Sequence, residues 1–170
     1  MSKKMEKRIE LTDKQKEFIW LAHGEGVGFD EIANRLNVDR KDISTWEIEL
    51  KSEWNKIAAV RKIYMQKNLS TSFNEFFEWY MNLTPKCDYC GITEEEIKRL
   101  FEQDPDITKR NRGRKLEIDR KLPNSEYDDL TNNVLACYWC NNAKTDTFSY
   151  GEFKKIGKVI NTIWTHRLSK

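Results

Sequence analysis

The chain has 170 residues, 34% charged and 38% apolar, with a formal net charge of +2. This length suits one ordinary domain or two small ones, and the many Trp, Tyr and Phe supply material for real cores. No apolar run approaches the ~20 residues of a membrane span, and so small a net charge leaves the question of nucleic acid to how the charges are distributed.

The start, Met1 to Arg8, carries charge but no apolar stretch of the kind a signal peptide needs. A cytoplasmic protein with reduced thiols is therefore expected. From Leu11 the pattern turns helical. Thr12 or Asp13 can cap a helix with Phe18, Ile19, Leu21 and Ala22 on its apolar face, and Gly24, Gly26 and Gly28 end it. Ile32, Ala33 and Leu36 then make one stripe of a short helix. Asn37 suits the left-handed position of a tight turn. Asp39 can cap a further helix from Arg40 to about Leu50, with Ile43 and Trp46 pointing inward.

Helix, tight turn and helix over residues 11 to 50 resemble a helix-turn-helix. The resemblance implies that the second helix enters a DNA major groove and puts Arg40, Lys41, Ser44 and Thr45 at the DNA. The alternative is a trihelical packing module that touches no DNA. Residues 47 to 82 read as more helix. Trp54, Ile57, Ala58, Arg61 and Met65 recur at helical spacing. Asn68 to Ser70 forms a linker, and a segment capped by Thr71 or Ser72 carries Phe73, Phe76, Phe77, Tyr80 and Met81 as core.

Every cysteine lies in one of two Cys-x-x-Cys pairs, Cys87/Cys90 and Cys137/Cys140. The spacing lets two thiolates of one knuckle face the same ion, and two knuckles complete the tetrahedral sulfur shell of a structural Zn²⁺. Disulfides are the alternative. The gap between the pairs is longer than in a simple zinc ribbon, so something folded sits in it. Thr93 with Glu96 forms a capping box for a helix to about Gln103, broken by Pro105. Lys109, Arg110, Arg112, Arg114 and Lys115 crowd one stretch without an acid, a candidate phosphate contact. Residues 115 to 122 alternate like a half-buried strand. After a loop with Tyr127, a short strand at Val134 to Ala136 runs into the second knuckle and a helix. A last helix starts at Ser149 or Tyr150. Phe153, Ile156, Ile160, Ile163 and Trp164 line its apolar side, and Lys154, Lys155, Lys158 and Arg167 its solvated side.

Cys87/Cys90, Ile118-Asp119-Arg120, Asn132, Cys137/Cys140, Asn141 and Lys144 follow one another in the order and spacing of a known pattern. The segment from Cys87 to Lys144 resembles the zinc-containing HNH endonucleases of the ββα-metal fold. The resemblance implies a mainly α protein with a small antiparallel hairpin. A helix-turn-helix module at 1–68 would precede a zinc-bound nuclease module at 69–170. It implies a metal-dependent DNA endonuclease whose catalytic residues correspond to Asp119, Arg120, Asn132, Asn141 and Lys144. Zinc on the cysteines would be structural, and Asp119 and Asn141 would hold a catalytic Mg²⁺ or Mn²⁺. Lys144 would meet a phosphate, and Asn132 would orient the loop, with Asn133 as the alternative in register. A homodimer is compatible with cutting both strands of a duplex.

One position departs from the pattern. The family's general base is a His after the Asp, and here Arg120 stands there. Arginine stays protonated and cannot accept a proton. Asp-Arg followed by a Tyr and Asn loop resembles a phage and mobile-element subgroup, so a bacterial or phage-infected cell is the expected setting. A metal-bound hydroxide, Glu117, Tyr127 and His166 remain alternatives for the base. His23 and His166, the chain's two histidines, read as structural helix residues. The second reading of the whole is a non-catalytic DNA-binding regulator on an HNH-derived scaffold, and the third a protein-interaction module.

Overall fold

The computed structural model describes residues 10–67, 69–108 and 112–169. Lys109 and Arg110, named above as phosphate contacts, lie outside the described residues. The described residues are mostly helical with a small two-stranded antiparallel sheet. The chain divides into compact units Met1–Tyr80 and Met81–Lys170. None of the described helices is long and apolar enough to cross a membrane.

In the first unit, α1 (Asp13–Ile19) starts at Thr12, whose hydroxyl takes the Gln15 N–H while the Gln15 side chain takes the Thr12 N–H. This reciprocal pairing satisfies donors that a helix start leaves open. The helix then widens into a π-helical stretch, Trp20–Glu25, closed by Gly26 in the left-handed region at φ 79°. The glycine stop is where the sequence puts it, whereas the widening has no sequence signal. In the widened stretch His23 stacks on Trp54 at 4.2 Å and meets Glu47 at 2.8 Å. That makes it a packing residue, as expected.

α2 (Phe29–Leu36) and α3 (Arg40–Glu49) follow, joined through Asn37 at φ 48°. Ile32 and Ile43 are wholly buried beside Phe18, so the two predicted stripes meet in one core. α4 (Lys51–Lys67) comes next. α5 (Phe73–Met81) lays Phe73 and Phe77 against Trp20, with ring centres 5.5 and 5.4 Å away. These contacts tie α5 to the amino-terminal helices, so the chain divides after Tyr80, later than the expected boundary near residue 68.

The second unit contains α6 (Glu94–Gln103), β1 (Leu116–Arg120), β2 (Asn133–Cys137), α7 (Tyr138–Lys144) and α8 (Tyr150–Leu168). Capping boxes start α6 at Thr93 and α8 at Ser149. β1 and β2 pair antiparallel with Ile118 opposite Leu135 and Asp119 opposite Val134. α7 begins inside the second knuckle, at Tyr138 and not after it, because the Cys137 sulfur caps it by accepting the Cys140 N–H.

α8 lies directly on the first knuckle. A Cβ at Gly157 would stand 2.3 Å from the Tyr89 carbonyl oxygen. Gly157→Ala should therefore push the helix off the knuckle and cost about 1–3 kcal/mol, as overpacking does. Denaturant unfolding should show the lower midpoint, and an unchanged midpoint would refute this close fit.

Candidate functional site

The four cysteines are buried and their sulfurs lie within 4.8 Å of one another. Cys90 and Cys137 Sγ are 3.7 Å apart. Four sulfurs at ~2.3 Å from a tetrahedral Zn²⁺ stand about 3.8 Å apart, whereas a disulfide closes to about 2 Å. The cluster therefore fits a zinc site and not a pair of disulfides. The backbone N–H groups of Cys90 and Cys140 point at the sulfurs of Cys87 and Cys137, 3.5 and 3.4 Å away, which suits thiolates. Hydrogen bonds from Cys137, Cys140 and Cys90 hold the Cys87 thiol far below its ordinary range. Donation to Cys137, Cys87 and Cys90 pushes Cys140 far above it. Left to themselves the four sulfurs share protons, and a Zn²⁺ among them would take all four as thiolates.

Beside this cluster, β1 and α7 face each other through two rungs. Glu117 and Asp119 alternate onto the same face of β1. Asn141 and Lys144, three residues apart, share one side of α7. Asn141 Nδ2 donates to Glu117 Oε2 at 2.8 Å. Lys144 Nζ lies 3.2 Å from Asp119 Oδ2 and donates to the Arg120 carbonyl at 2.7 Å. The Tyr89 hydroxyl donates to the same Asp119 Oδ2 at 2.7 Å. Burial, then the hydrogen bond to Asp119, pushes the Tyr89 phenol well above its usual range.

One expectation changes here. Lys144 is 1% exposed and its ammonium turns inward, so it braces Asp119 and the end of β1 and does not face a phosphate. Asp119 and Asn141 have separate partners, with Glu117 in the rung next to Asp119. The donor chemistry still suits a hard cation, since carboxylates and an amide carbonyl are what Mg²⁺ and Mn²⁺ take. Among the described residues the cysteines are the one group of three or more Cys, His, Asp and Glu that converges.

The loop after β1 is held from both ends. Asn132 accepts the Leu122 N–H at 2.9 Å and donates to the Leu122 carbonyl at 3.3 Å. Asn133 donates to the Tyr127 carbonyl at 2.6 Å, and its buried Oδ1 has no partner. Both asparagines weighed in the sequence thus bind the loop, Asn132 with both ends of its amide. Arg120 donates to the Ser125 carbonyl at 2.7 Å and lies 4.5 Å from the centre of the Tyr127 ring. His166 is exposed in the last turn of α8.

The expected DNA-contacting residues are solvent-facing. Arg40, Lys41, Ser44 and Thr45 all lie exposed on α3. Arg40 is braced by Asp30 at 2.8 Å and Ser44 at 2.7 Å. The Thr45 hydroxyl returns to the Lys41 carbonyl. Arg112 and Arg114 are exposed, with the Arg114 guanidinium 4.2 Å from the centre of the Phe101 ring. Tyr89 and Glu117 as partners of the site residues were not read from the sequence. The tyrosine sits inside a knuckle whose cysteines claim the attention, and only the fold brings it to β1.

No protein-family model matches the chain, and no curated protein matches it. Among solved structures, the rare-cutting HNH restriction endonuclease PacI is similar over 98% of this chain and 98% of its own, at 20% identity and a TM-score of 0.48.

Proposed function

We propose that this chain is a divalent-metal-dependent DNA endonuclease of the HNH kind, with the α2–α3 pair acting as a helix-turn-helix that helps choose the target. The observation that carries the reading is the Asp119 carboxylate at the end of a strand that the thiolate cluster fastens to α7. Zinc on Cys87, Cys90, Cys137 and Cys140 fixes this frame. Asp119 and Asn141, with Glu117 beside them, would hold Mg²⁺ or Mn²⁺, and such an ion offsets the charge that grows on a phosphodiester as it is cleaved. Arg120 contributes charge to the phosphate and not proton abstraction, because its guanidinium stays protonated. Lys144 positions Asp119, and Asn132 positions the loop that carries Tyr127. Arg40, Lys41, Ser44 and Thr45 meet the DNA from α3, and Arg112 and Arg114 add phosphate contacts. Cutting both strands goes with a homodimer.

A second reading, a DNA-binding regulator that does not cut, draws on Arg120 at the usual base position and on the ammonium already set against Asp119. Plasmid incubated with zinc-loaded protein and Mg²⁺ or Mn²⁺ separates the two. The nuclease reading expects nicked or linear product, lost by at least a hundredfold in Asp119→Asn while zinc content and helicity are kept. Shifted but intact plasmid across both metals would sink it in favour of the regulator.

A further inference from the structure

Resting on the nucleic-acid reading above, the geometry points to a phosphate-binding site for the DNA backbone in the cleft between the first zinc knuckle and α8. A cavity of about 530 Å³ opens there, lined by Lys86, Lys154, Lys158 and Asn161. Residues 154, 158 and 161 fall at i, i+4 and i+7, so one side of α8 presents all three. Lys86 approaches from the segment before Cys87.

The carboxylate in this lining, Asp88, is already engaged. It accepts the Tyr150 hydroxyl at 2.8 Å and lies 3.2 Å from Lys154 Nζ. Lys86 and Lys158 have no carboxylate partner among the described residues, so the cleft carries a local excess of positive charge. Asn161 donates to the Cys90 carbonyl at 2.7 Å, which holds its amide at the cleft wall.

The positive surface continues toward the candidate active site. Lys121 and Lys154 stand 5.8 and 5.7 Å from the centre of the Tyr150 ring. Lys121 directly follows Arg120 in the strand end. Ammonium groups interleaved with an aromatic ring suit consecutive phosphates of one strand better than a compact apolar ligand. The competing account is that these lysines only offset the charge of four thiolates around Zn²⁺.

The test uses the full, zinc-loaded chain and a fluorescently labelled DNA duplex, with anisotropy read from about 50 to 200 mM salt. Lys86→Gln/Lys158→Gln should weaken binding several-fold at low salt and flatten the slope of log affinity against log salt by about 2, since each lost phosphate contact removes about 0.9. Lys155→Gln, on the same helix outside the cleft, should leave the slope within about half a unit of the unaltered chain. An unchanged slope in the double variant overturns the site, most plainly if zinc then leaves faster. An equal drop in Lys155→Gln also overturns it, because the effect would be general charge. If the unaltered chain cuts plasmid and the double variant keeps its slope, the cleft fails and the nuclease reading stands. If the slope falls but nothing cuts with any metal, the cleft stands and the nuclease reading fails.

Discussion

Stripping zinc from the cysteine cluster with a chelator, or replacing Cys140 with serine, should unfold the carboxy-terminal unit. A structural zinc contributes on the order of 10 kcal/mol or more, comparable to the whole stability of a small domain. The unit has little to replace it. Its sheet is a single pair of five-residue strands, and a lone hairpin is marginal in water. The four sulfurs join the segment that precedes α6 to the end of β2 and the start of α7, so losing the ion frees both ends of the intervening stretch. Circular dichroism should lose the signal of α6 to α8, and a chromogenic chelator should count one zinc per chain. Retained helicity and an unchanged melting midpoint in the metal-free protein would rule out the structural role.

The second large effect is expected at Lys144. Lys144→Met leaves Asp119 buried without its cation, and breaking a buried pair this way costs about 3–5 kcal/mol. Among the described residues the carboxylate would keep the Tyr89 hydroxyl. The companion Asp119→Asn/Lys144→Met removes both charges and should recover most of that loss, because neither charge is then stranded. Denaturant titrations of the two singles and the double give the coupling directly. Additive losses, with no recovery in the double variant, would mean that the two side chains do not act as a pair.

Much of this was legible in the residues. Thr12, Thr93 and Ser149 announce their helices because capping is local chemistry, settled within four residues. The stripes at Ile32 and Ile43 and the left-handed Asn37 between them are local in the same sense. The cysteine set is long-range, and its paired spacing points to zinc over disulfides before the sulfur distances decide between them. What escaped was the partner of each polar group. Lys144 reads as a surface cation because lysine is almost never fully buried, and only the packing of α7 on β1 turns it inward to Asp119. Tyr89 meets Asp119 across thirty positions of sequence, a separation at which no periodicity speaks. The widening at Trp20–Glu25 escaped for another reason. It trades regular helix bonds for the His23, Trp54 and Glu47 cluster, a tertiary gain without a residue signature.

The seating of α8 against the first knuckle bears on how the chain is made. Asn161 reaches the Cys90 carbonyl over 71 positions, and Lys154 reaches Asp88 over 66. Such distant pairings cannot form until the later partner exists, whereas Trp20 has its partners Phe73 and Phe77 once residue 77 is made. During synthesis the amino-terminal helices can therefore close while the thiols are still waiting. Until residues 153 to 164 leave the ribosome, the first knuckle lacks the helix that seats on its backbone.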